Sequence, residues 1–333
     1  MEVFNAGELI DKASPPPERK TGWPWTEDTS PDIYDKNIAW PKISIVTPSF
    51  NQGQFIEETI RSVLLQNYPN IEYMIIDGGS TDNTIEIIKK YEKQLAYWVS
   101  EPDKGQAHAI NKGLEKASGE IFQWINSDDY LEQGALFKIA EAFKNPKIDA
   151  VAGKTVYFKD GVFEEPIQQS MLSAKGLIKW GKGVKFVQPG VWLRREKILD
   201  CGGIDEKFHC AFDWDLLIRY LCKFNQIKYI DDILVYFRLH DQSKTVSLLE
   251  KFGSEEEQII KKLIQIPEFK QVHKIGKFRI QRTEWYGILD QMSKEQKSKT
   301  IKIRNILKTS FELPSVRLNR ITLGAIKNII FNK

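Results

Sequence analysis

The sequence predicts an α/β fold, with a mainly parallel β-sheet flanked by helices and followed by a helical C-terminal extension. Three observations lead to this prediction. From Lys42 onward, short apolar runs alternate with amphipathic segments of about ten residues, as in β-α-β units. Turns rich in Gly, Asp, Asn and Ser separate these runs. Beyond residue 248 the apolar residues recur mostly at helical spacing.

The segment before the sheet, residues 1–41, is predicted to be an irregular N-terminal arm. Its prolines forbid long helices, whereas Trp23, Trp25 and Trp40 would not favour free solvent. Two interpretations stay open, a disordered leader or an arm whose tryptophans pack on the main domain. The arm lacks the pattern of a signal peptide, and no stretch of the chain is apolar enough to span a membrane, so we expect a cytoplasmic protein.

The first half of the main domain, about residues 42–130, contains four predicted strands: KISIVTPS, YMIID, AYWVS and EIFQWIN. Three amphipathic helices separate them. Ligands bind beyond the carboxyl ends of parallel strands, so the polar loops after these strands should line one cleft. These loops are Pro48–Asn51, Asp77–Asp82, Glu101–Gly105 and Asn126–Asp129.

The second half, about residues 131–247, is less regular. A hairpin turn is predicted at Lys159-Asp160-Gly161, a helix in WDLLIRYLCKF and a late strand in ILVYFRLH. Together the two halves make a domain over residues 42–247. Residues 248–333 form the helical extension, which ends in a cationic amphipathic tail.

Charge and cysteine content exclude several classes of protein. The 48 basic residues nearly balance 45 acidic ones, which gives no general case for nucleic-acid binding. Residues 294–333 hold ten Lys or Arg and two Glu, a net charge of +8, so the first 293 residues sum to −5. Three cysteines without zinc-type spacing argue against a disulfide framework or a Cys-rich metal site.

Two adjacent carboxylates, Asp128 and Asp129, follow the apolar strand EIFQWIN. At a cleft edge such a pair can bind a divalent cation. Taken alone, the segment fits equally well an Asp pair that caps the next helix.

Seven segments in order resemble family 2 glycosyltransferases, across roughly Lys42 to Thr245. The resemblance implies a GT-A fold and an inverting transfer of a sugar from a nucleoside diphosphate, with a UDP-sugar expected, to a hydroxyl acceptor in bacterial surface polysaccharide or lipid-linked glycan synthesis. The segments are SIVTPSFNQGQFIEETIRSVLLQ, IIDGGSTDNT, EPDKGQAHAINKG, WINSDD, QPGVWLRR, CGGIDEKFHCAFDWDL and FRLHDQSKT.

The same resemblance implies where the nucleotide binds. Asp77 is expected to hydrogen-bond the uracil or an equivalent base, or else to cap a helix through DGGSTD, and Phe50 offers a stacking face. Lys104 could instead be simply solvated. The implied nucleotide-binding residues are Pro48, Phe50, Asn51, Asp77, Asp103, Lys104, Gly105 and Asp128.

For a metal cofactor, Mn²⁺ or Mg²⁺, the resemblance implies Asp129 as a ligand and Asp128 as its donor-binding partner. His240 is expected to complete the metal sphere. Asn126 stands where an acid is common in the family, which lowers the number of carboxylates near the metal.

The implied catalytic base is Asp213, the second residue of a family acidic pair at the head of a helix, where Phe212 replaces the first acid. A carboxylate near a helix N-terminus tends to stay ionised. An ordinary N-cap aspartate is the alternative. Around the sugar and acceptor, the resemblance implies four residues: Gln188, Trp192, Trp214 and Asp215, the last of which either supports the loop or touches the acceptor.

Two other functions are consistent with an α/β fold. A nucleotidyltransferase would need a basic, Gly-rich phosphate loop after the first strand, and TPSFNQGQF has no basic residue. A catalytically inactive sugar-nucleotide or glycan-binding module requires loss of the base or metal ligand, and both Asp213 and Asp129 are present.

The cationic tail, residues 294–333, mixes Ile, Leu and Phe with Lys and Arg on both sides of Pro314. Amphipathic helices of this kind can lie on an anionic membrane surface, in peripheral contact with the inner face of the cell membrane. The alternative is that the apolar faces pack on the protein itself.

Overall fold

The structure is a computed structural model that describes residues 15–179, 183–241, 243, 249–295, 298–312 and 320–331. These residues form two compact units, which divide within one helix between Glu255 and Glu256; residues 178 and 179 are grouped with the second unit. Within the described ranges, no helix is long and apolar enough to cross a bilayer.

The first unit is built on one β-sheet with helices beside it. The strands are β1 (Ile43–Ser49), β2 (Ile71–Asp77), β3 (Tyr97–Ser100), β4 (Ile121–Trp124), β5 (Tyr130–Leu131), β6 (Ala150–Lys159), β7 (Val162–Phe163), β8 (Val191–Arg194) and β9 (Ile227–Arg238). The helices are α1 (Ile56–Leu64), α2 (Thr84–Lys90), α3 (Gln106–Lys116), α4 (Ala135–Phe143), α5 (Ala174–Lys179), α6 (Arg195–Asp200) and α7 (Phe212–Lys223).

The strand order is β3-β2-β1-β4-β8-β6-β9-β5, with β7 paired to β6. The first four strands in this order are parallel, as the alternating pattern predicts. The prediction of a mainly parallel sheet does not extend to the whole sheet, because β8 runs antiparallel to both β4 and β6. The fold is therefore a mixed α/β sheet flanked by helices.

Among the first strands, β1 lies between β2 and β4 in the sheet. All seven residues of β1 are buried, which is typical of a strand covered on both faces. The predicted hairpin is present: Asp160 and Gly161 both have positive φ and join β6 to β7. Such angles match the tight turns that connect antiparallel strands.

The part of the N-terminal arm that the structure describes, residues 15–41, packs on the first unit. Trp23 donates its indole N–H to the carbonyl of Leu131 at 2.8 Å. Arg61, only 2% exposed, donates to the carbonyls of Pro24 and Trp25 at 3.0 and 2.6 Å. Trp40 is also buried. Of the two interpretations of the arm, packing on the main domain therefore applies to residues 15–41. Residues 1–14 lie outside the described part.

At the amino ends of the parallel strands, a group of polar residues is paired within the protein. We call it the amino edge: Lys42, Ser44, Glu72 and Ser118. Glu72 accepts from the Lys42 ammonium at 2.8 Å and the Ser44 hydroxyl at 2.5 Å. It also accepts from the backbone N–H and hydroxyl of Ser118, both at 2.7 Å. Burial alone would raise the pKa of Glu72, but these hydrogen bonds lower it to about 2.

The second unit is helical. It contains the end of α8 (Leu249–Leu263), then α9 (Lys270–Lys294), α10 (Lys299–Glu312) and α11 (Arg320–Phe331). A small core forms around Trp285, Leu289 and Ile306. The indole N–H of Trp285 donates to the Thr322 hydroxyl at 2.9 Å, which ties α11 to α9.

The tail helices therefore use part of their apolar surface within their own unit, where Ala325, Ile326 and Ile329 pack against this core. Other apolar side chains stay outside it: Leu323 is 51% and Phe331 72% exposed. Pro314 lies outside the described residues.

Candidate active site

The loops that follow β1, β2, β3 and β4 lie side by side at the carboxyl ends of these strands. We call this the carboxyl edge. Ser49 of β1 pairs with Asp77 of β2, which in turn pairs with Ser100 of β3. Backbone hydrogen bonds continue beyond the strands, from Gly78 N–H to the Ser49 carbonyl at 2.8 Å and from Glu101 N–H to the Asp77 carbonyl at 3.0 Å.

Asp77 is fully buried at this edge, and its carboxylate is already hydrogen-bonded. It accepts from the N–H groups of Gly79 and Ser80 at 3.0 and 2.8 Å. It also accepts from the hydroxyls of Ser80 and Ser100 at 2.5 and 2.6 Å. In this structure the Asp77 side chain organises the turn that follows β2, and its contact with the base stays a prediction.

Phe50, by contrast, is 57% exposed and follows β1 directly. The backbone beside it is held by two hydrogen bonds, from Asn51 N–H to the Ser80 hydroxyl at 2.7 Å and from Thr81 N–H to the Asn51 side-chain oxygen at 2.9 Å. Asn51 has a φ of 52°, which turns the chain sharply after Phe50. Pro48 is buried within β1, next to the last residue of the strand.

The loop after β3 places Asp103 next to Gly78. A Cβ atom on Gly78 would lie 2.9 Å from Oδ2 of Asp103, so the carboxylate occupies the volume of a side chain at that position. Oδ1 of Asp103 accepts from Gly105 N–H at 2.6 Å. Lys104 is exposed. Gly105 has a φ of 112°, and a Cβ there would lie 3.7 Å from the His209 ring, so this loop lies beside the loop before α7.

Asp128 and Asp129 occupy different environments. Asp129 is 1% exposed and accepts from Arg238 N–H at 3.0 Å and from the Asn126 amide at 3.1 Å. Burial, reinforced by the charge of Asp128, raises the pKa of Asp129 well above its ordinary value. The Asp128 side chain is 21% exposed, and its Oδ2 lies 3.0 Å from Nε2 of His240.

The metal-ligand role of Asp129 therefore stays a prediction, and the geometry favours Asp128 over Asp129 for it. Both oxygens of Asp129 face donors of the protein, whereas Oδ1 of Asp128 has no hydrogen-bond partner among the residues that the structure describes. The structure brings His240 to Asp128, and its place in the metal sphere stays a prediction. Asn126 accepts from the Gln106 amide at 2.7 Å and donates to Asp129, so an acid at this position would face a second carboxylate.

Arg238 holds this loop in place, and the sequence analysis missed it. Its Nε donates to the Asp128 carbonyl at 2.9 Å, and its terminal nitrogen pairs with Glu58 at 2.5 Å. The guanidinium also lies over the rings of Phe55 and Phe158, at 4.8 and 4.4 Å from their centroids. In the sequence, the only indication of this role is the position of Arg238 in the late strand, two residues before His240.

Asp213 lies in the first turn of α7 and accepts from Trp214 N–H at 2.7 Å. The preceding residue, Phe212, packs on Trp124 with ring centroids 6.0 Å apart, which brings the start of α7 to the end of β4. Burial, together with the charges of Asp129, Glu164 and Asp213, raises the pKa of Tyr157 to about 12. Tyr157 on β6 therefore lies in the field of both the acidic loop and α7.

Glu255 of α8 holds the loop that leads into α7. Its carboxylate, 5% exposed, accepts from the N–H groups of His209, Cys210 and Ala211 at 3.0, 2.8 and 2.9 Å. Burial raises the pKa of Glu255, but these three bonds outweigh it and lower the pKa overall. The first turn of α7 is thus positioned from behind by a residue that sequence reasoning did not select.

The predicted acceptor residues fall into two groups. Gln188 donates to Gln123 at 2.8 Å and to the Trp124 carbonyl at 3.2 Å, so it lies at the end of β4. Trp192 is 0% exposed within the core, and Trp214 is 4% exposed, so neither offers a surface to an acceptor. Both tryptophans are covered by the sheet and helices in this structure, and their contact with the acceptor stays a prediction.

Asp215 is also 0% exposed, and it pairs with Arg219 at 2.7 Å. Arg219 in turn donates to the carbonyls of Cys201 and Gly203. Of the two predicted roles, Asp215 therefore has the supporting one, since it holds the loop around the two glycines.

Asp128 and His240 fit a divalent cation. Their carboxylate and imidazole converge, and both are partly exposed. No group of three or more such ligands occurs within the described residues. A cation bound by one or two side chains needs oxygens from a substrate phosphate, which is a common arrangement for Mg²⁺ in phosphate-binding sites.

The chain is similar to a protein family, to a curated relative and to two solved structures. Residues 44–203 match the family model described as Glycosyl transferase family 2. Over 114 residues the chain is 37% identical to poly-β-1,6-N-acetyl-D-glucosamine synthase of Staphylococcus epidermidis, covering 33% of this chain and 28% of that protein. The chain thus spans well under half the length of this relative.

Two solved structures share the fold. TarS 1–349 of S. aureus in complex with UDP-GlcNAc has a TM-score of 0.59 at 19% identity, covering 86% of this chain and 84% of that one. The mannosyltransferase PcManGT of Pyrobaculum calidifontis, in complex with GDP-Man and Mn²⁺, has a TM-score of 0.55 at 17% identity, covering 94% of this chain and 92% of that one.

Proposed function

We propose that the chain is an inverting glycosyltransferase that moves a sugar from a UDP-sugar to a hydroxyl acceptor. The match of residues 44–203 to the family 2 glycosyltransferase model supports this proposal. The observation that supports this most is the convergence of Asp128, His240 and the first turn of α7 at the carboxyl edge. Asp128 pairs with His240. Phe212, the first residue of α7, packs on Trp124, which lies four residues before Asp128 in the chain.

In this proposal Asp213 is the general base. It accepts the proton of the acceptor hydroxyl as that oxygen attacks the anomeric carbon, while the bond from that carbon to the diphosphate breaks. The attack from the face opposite the diphosphate inverts the configuration. Glu255 and Phe212 keep Asp213 in position.

Asp128 and His240 would hold the cation, Mn²⁺ or Mg²⁺. When bound, the cation offsets the negative charge of the leaving diphosphate. Asp128 would carry the main charge, since Asp129 is buried behind it and fixes the loop through Arg238.

The acceptor is proposed to be a growing surface polysaccharide or a lipid-linked glycan. The relative from S. epidermidis is named for a polysaccharide product, which supports this class. The fold alone does not fix the nucleotide base of the donor, because one similar structure holds UDP-GlcNAc and the other GDP-Man.

The proposal is tested by incubating the purified chain and Mn²⁺ with a panel of UDP-, GDP- and dTDP-sugars and measuring the release of nucleoside diphosphate. We expect slow hydrolysis of UDP-sugars that chelation stops. If no sugar nucleotide is hydrolysed or bound, the transferase proposal fails.

A peripheral contact of the tail with an anionic lipid surface is part of the proposal. Leu323 and Phe331 are exposed, and residues 294–333 carry a net charge of +8. Leu323→Ser with Phe331→Ser in the full chain should reduce sedimentation with anionic vesicles at low salt. Phe163→Ser, which changes a phenylalanine 52% exposed in the first unit, is the control. If the parent chain stays in the supernatant, the membrane contact is rejected.

A further inference from the structure

We propose that the hydroxyl of Tyr157 donates a hydrogen bond to an oxygen of the sugar that is transferred, so that this residue recognises the sugar and not the nucleotide. The inference deepens the proposed function and rests on it, since it names a residue that binds the donor sugar. Three features of Tyr157 support it: its place in the sheet, its available hydroxyl and the acids around it.

Tyr157 lies near the carboxyl end of β6, and this end belongs to the carboxyl edge. Strand β8 runs antiparallel to both β4 and β6, so β6 has the same direction as β4. The first residue of β8, Val191, pairs with Ala152, and residues 153–159 of β6 continue beyond it. Tyr157 is therefore carried past the end of β8, toward the loops that form the site.

The strand register places Tyr157 at the level of the acidic loop. Tyr157 pairs with Phe237 of β9, and the two rings are in edge contact with centroids 5.1 Å apart. On the other side of β9, the register with β5 puts Asp129 at the level of Phe237. Asp129 also accepts from the next N–H of β9 at 3.0 Å. Tyr157 and Asp129 thus lie on either side of one strand.

The hydroxyl of Tyr157 is available to a ligand. Its neighbours Val156 and Phe158 are 3% and 4% exposed and point to the opposite face of the sheet, whereas Tyr157 is partly exposed. Among the described residues, none hydrogen-bonds this hydroxyl, and its oxygen is not fully buried. The hydroxyl of a packed tyrosine usually has a polar partner, which a substrate oxygen can supply here.

The acids around Tyr157 make its hydroxyl a donor. Burial and the charges of three acids raise the pKa of Tyr157 to about 12, so the hydroxyl keeps its proton at neutral pH. The acids are Asp129, Glu164 and Asp213. Ionised carboxylates only accept hydrogen bonds, so Tyr157 adds a donor to a part of the site that is rich in acceptors.

The transferred sugar is the part of the substrate that meets this donor. In the proposed reaction the diphosphate lies at the cation on Asp128 and His240, the acceptor oxygen lies at Asp213, and the sugar occupies the space between them. Tyr157 is close enough to feel the charges of both Asp213 and Asp129. The loops after β1, β2 and β3 lie toward the other end of the strand order, away from this hydroxyl.

The test compares the parent chain with Tyr157→Phe in calorimetric titrations of UDP, UDP-GlcNAc and UDP-glucose with Mn²⁺. The variant keeps the ring and loses a hydroxyl that no described residue uses, so it should unfold thermally as the parent does. We expect its affinity for UDP to be unchanged. Its affinity for the UDP-sugar that the parent prefers should fall about tenfold, as the loss of one hydrogen bond implies.

Tyr236→Phe is the matched control. Tyr236 lies on the neighbouring strand and points to the opposite face, where its hydroxyl donates to Glu132. Removal of this hydroxyl should lower the thermal unfolding temperature and leave the ratio of UDP to UDP-sugar affinity as in the parent.

The inference is overturned if Tyr157→Phe binds the UDP-sugar as tightly as the parent does. It is also overturned if the variant loses affinity for UDP and for the UDP-sugar to the same extent, because the hydroxyl would then act on the nucleotide or on the fold. In both cases the transferase proposal stands, whereas a parent chain that binds neither UDP nor a UDP-sugar defeats both.

Discussion

Acidic side chains at the two ends of the parallel strands differ in how many of their carboxylate oxygens accept hydrogen bonds from the protein. At the amino edge, Glu72 accepts four hydrogen bonds from residues of the protein, and no oxygen is left for a ligand. At the carboxyl edge, Asp128 and Asp103 each keep one oxygen without a donor among the described residues. The aromatic ring of Phe50 is exposed beside them.

The carboxyl edge also contains acids that, like Glu72, are hydrogen-bonded within the protein. Asp77 and Asp129 are buried, and both oxygens of each accept hydrogen bonds from the protein. Burying a charge is costly unless it is paired, so the protein's own donors surround these acids. Position at the functional edge is therefore not enough to assign a role, and the number of occupied oxygens separates support from ligand binding.

The largest effect is expected for Asp213→Asn, because it removes the proposed proton acceptor. Transfer should fall by roughly 10²–10⁴-fold, while UDP affinity changes by only a few-fold. Turnover assays and calorimetry measure the two quantities. Transfer above about a tenth of the parent rate would remove Asp213 from the base role.

Asp128→Asn and Asp129→Asn test the two neighbouring acids against each other. The first should abolish the dependence of UDP binding on Mn²⁺, and chelation of the parent chain should produce the same loss. The second should preserve that dependence, because Asp129 faces Arg238 and Asn126. Calorimetric titrations with and without chelator decide the matter, and the reverse pattern would restore Asp129 as the ligand.

His240→Ala is expected to give a milder form of the Asp128 defect. The Mn²⁺ concentration for half-maximal activity should rise by about tenfold, in line with the loss of one partner at a metal site. His273→Ala is the control, since that ring contacts the Ile266 carbonyl at 2.9 Å in the second unit. An unchanged metal dependence would assign His240 to packing against Phe55 instead.

Glu72→Gln should leave activity unchanged and reduce only stability. At pH 7 the loss is expected to be about 2 kcal/mol, because charge-assisted hydrogen bonds are replaced by neutral ones. The folded-state pKa of Glu72 is lowered to about 2, so its contribution is full above pH 4.5 and is lost as the pH falls toward 2.

Urea unfolding at pH 7 and pH 3 measures this difference. The gap between Glu72→Gln and the parent should narrow at pH 3, whereas Glu115→Gln, which changes an exposed acid, should show little effect at either pH. A drop in transfer rate without a drop in stability would contradict the assignment of Glu72 to structural support.

The sequence allowed the order of the elements to be predicted better than the roles of individual acids. The alternation of strands and helices predicts β1 to β4 and the loops at their ends, because each pattern is local. The burial of Asp77 depends on Ser100, and that of Asp129 on Arg238, 109 residues away. Asp128 lies in a turn before β5, so the local sequence does not indicate which of Asp128 and Asp129 faces inward.

The anchor of α7 has a consequence for how the protein is made. The last strand, β9, ends at Arg238, and the carboxylate that binds the loop before α7 belongs to Glu255, 17 residues later. During synthesis, every strand of the sheet and Asp213 itself are complete before this carboxylate exists. Chains grow at about 5–20 residues per second, so the sheet precedes its anchor by roughly 1–3 seconds. The residue that fixes the geometry of the proposed base is therefore synthesised after every strand of the sheet that it serves.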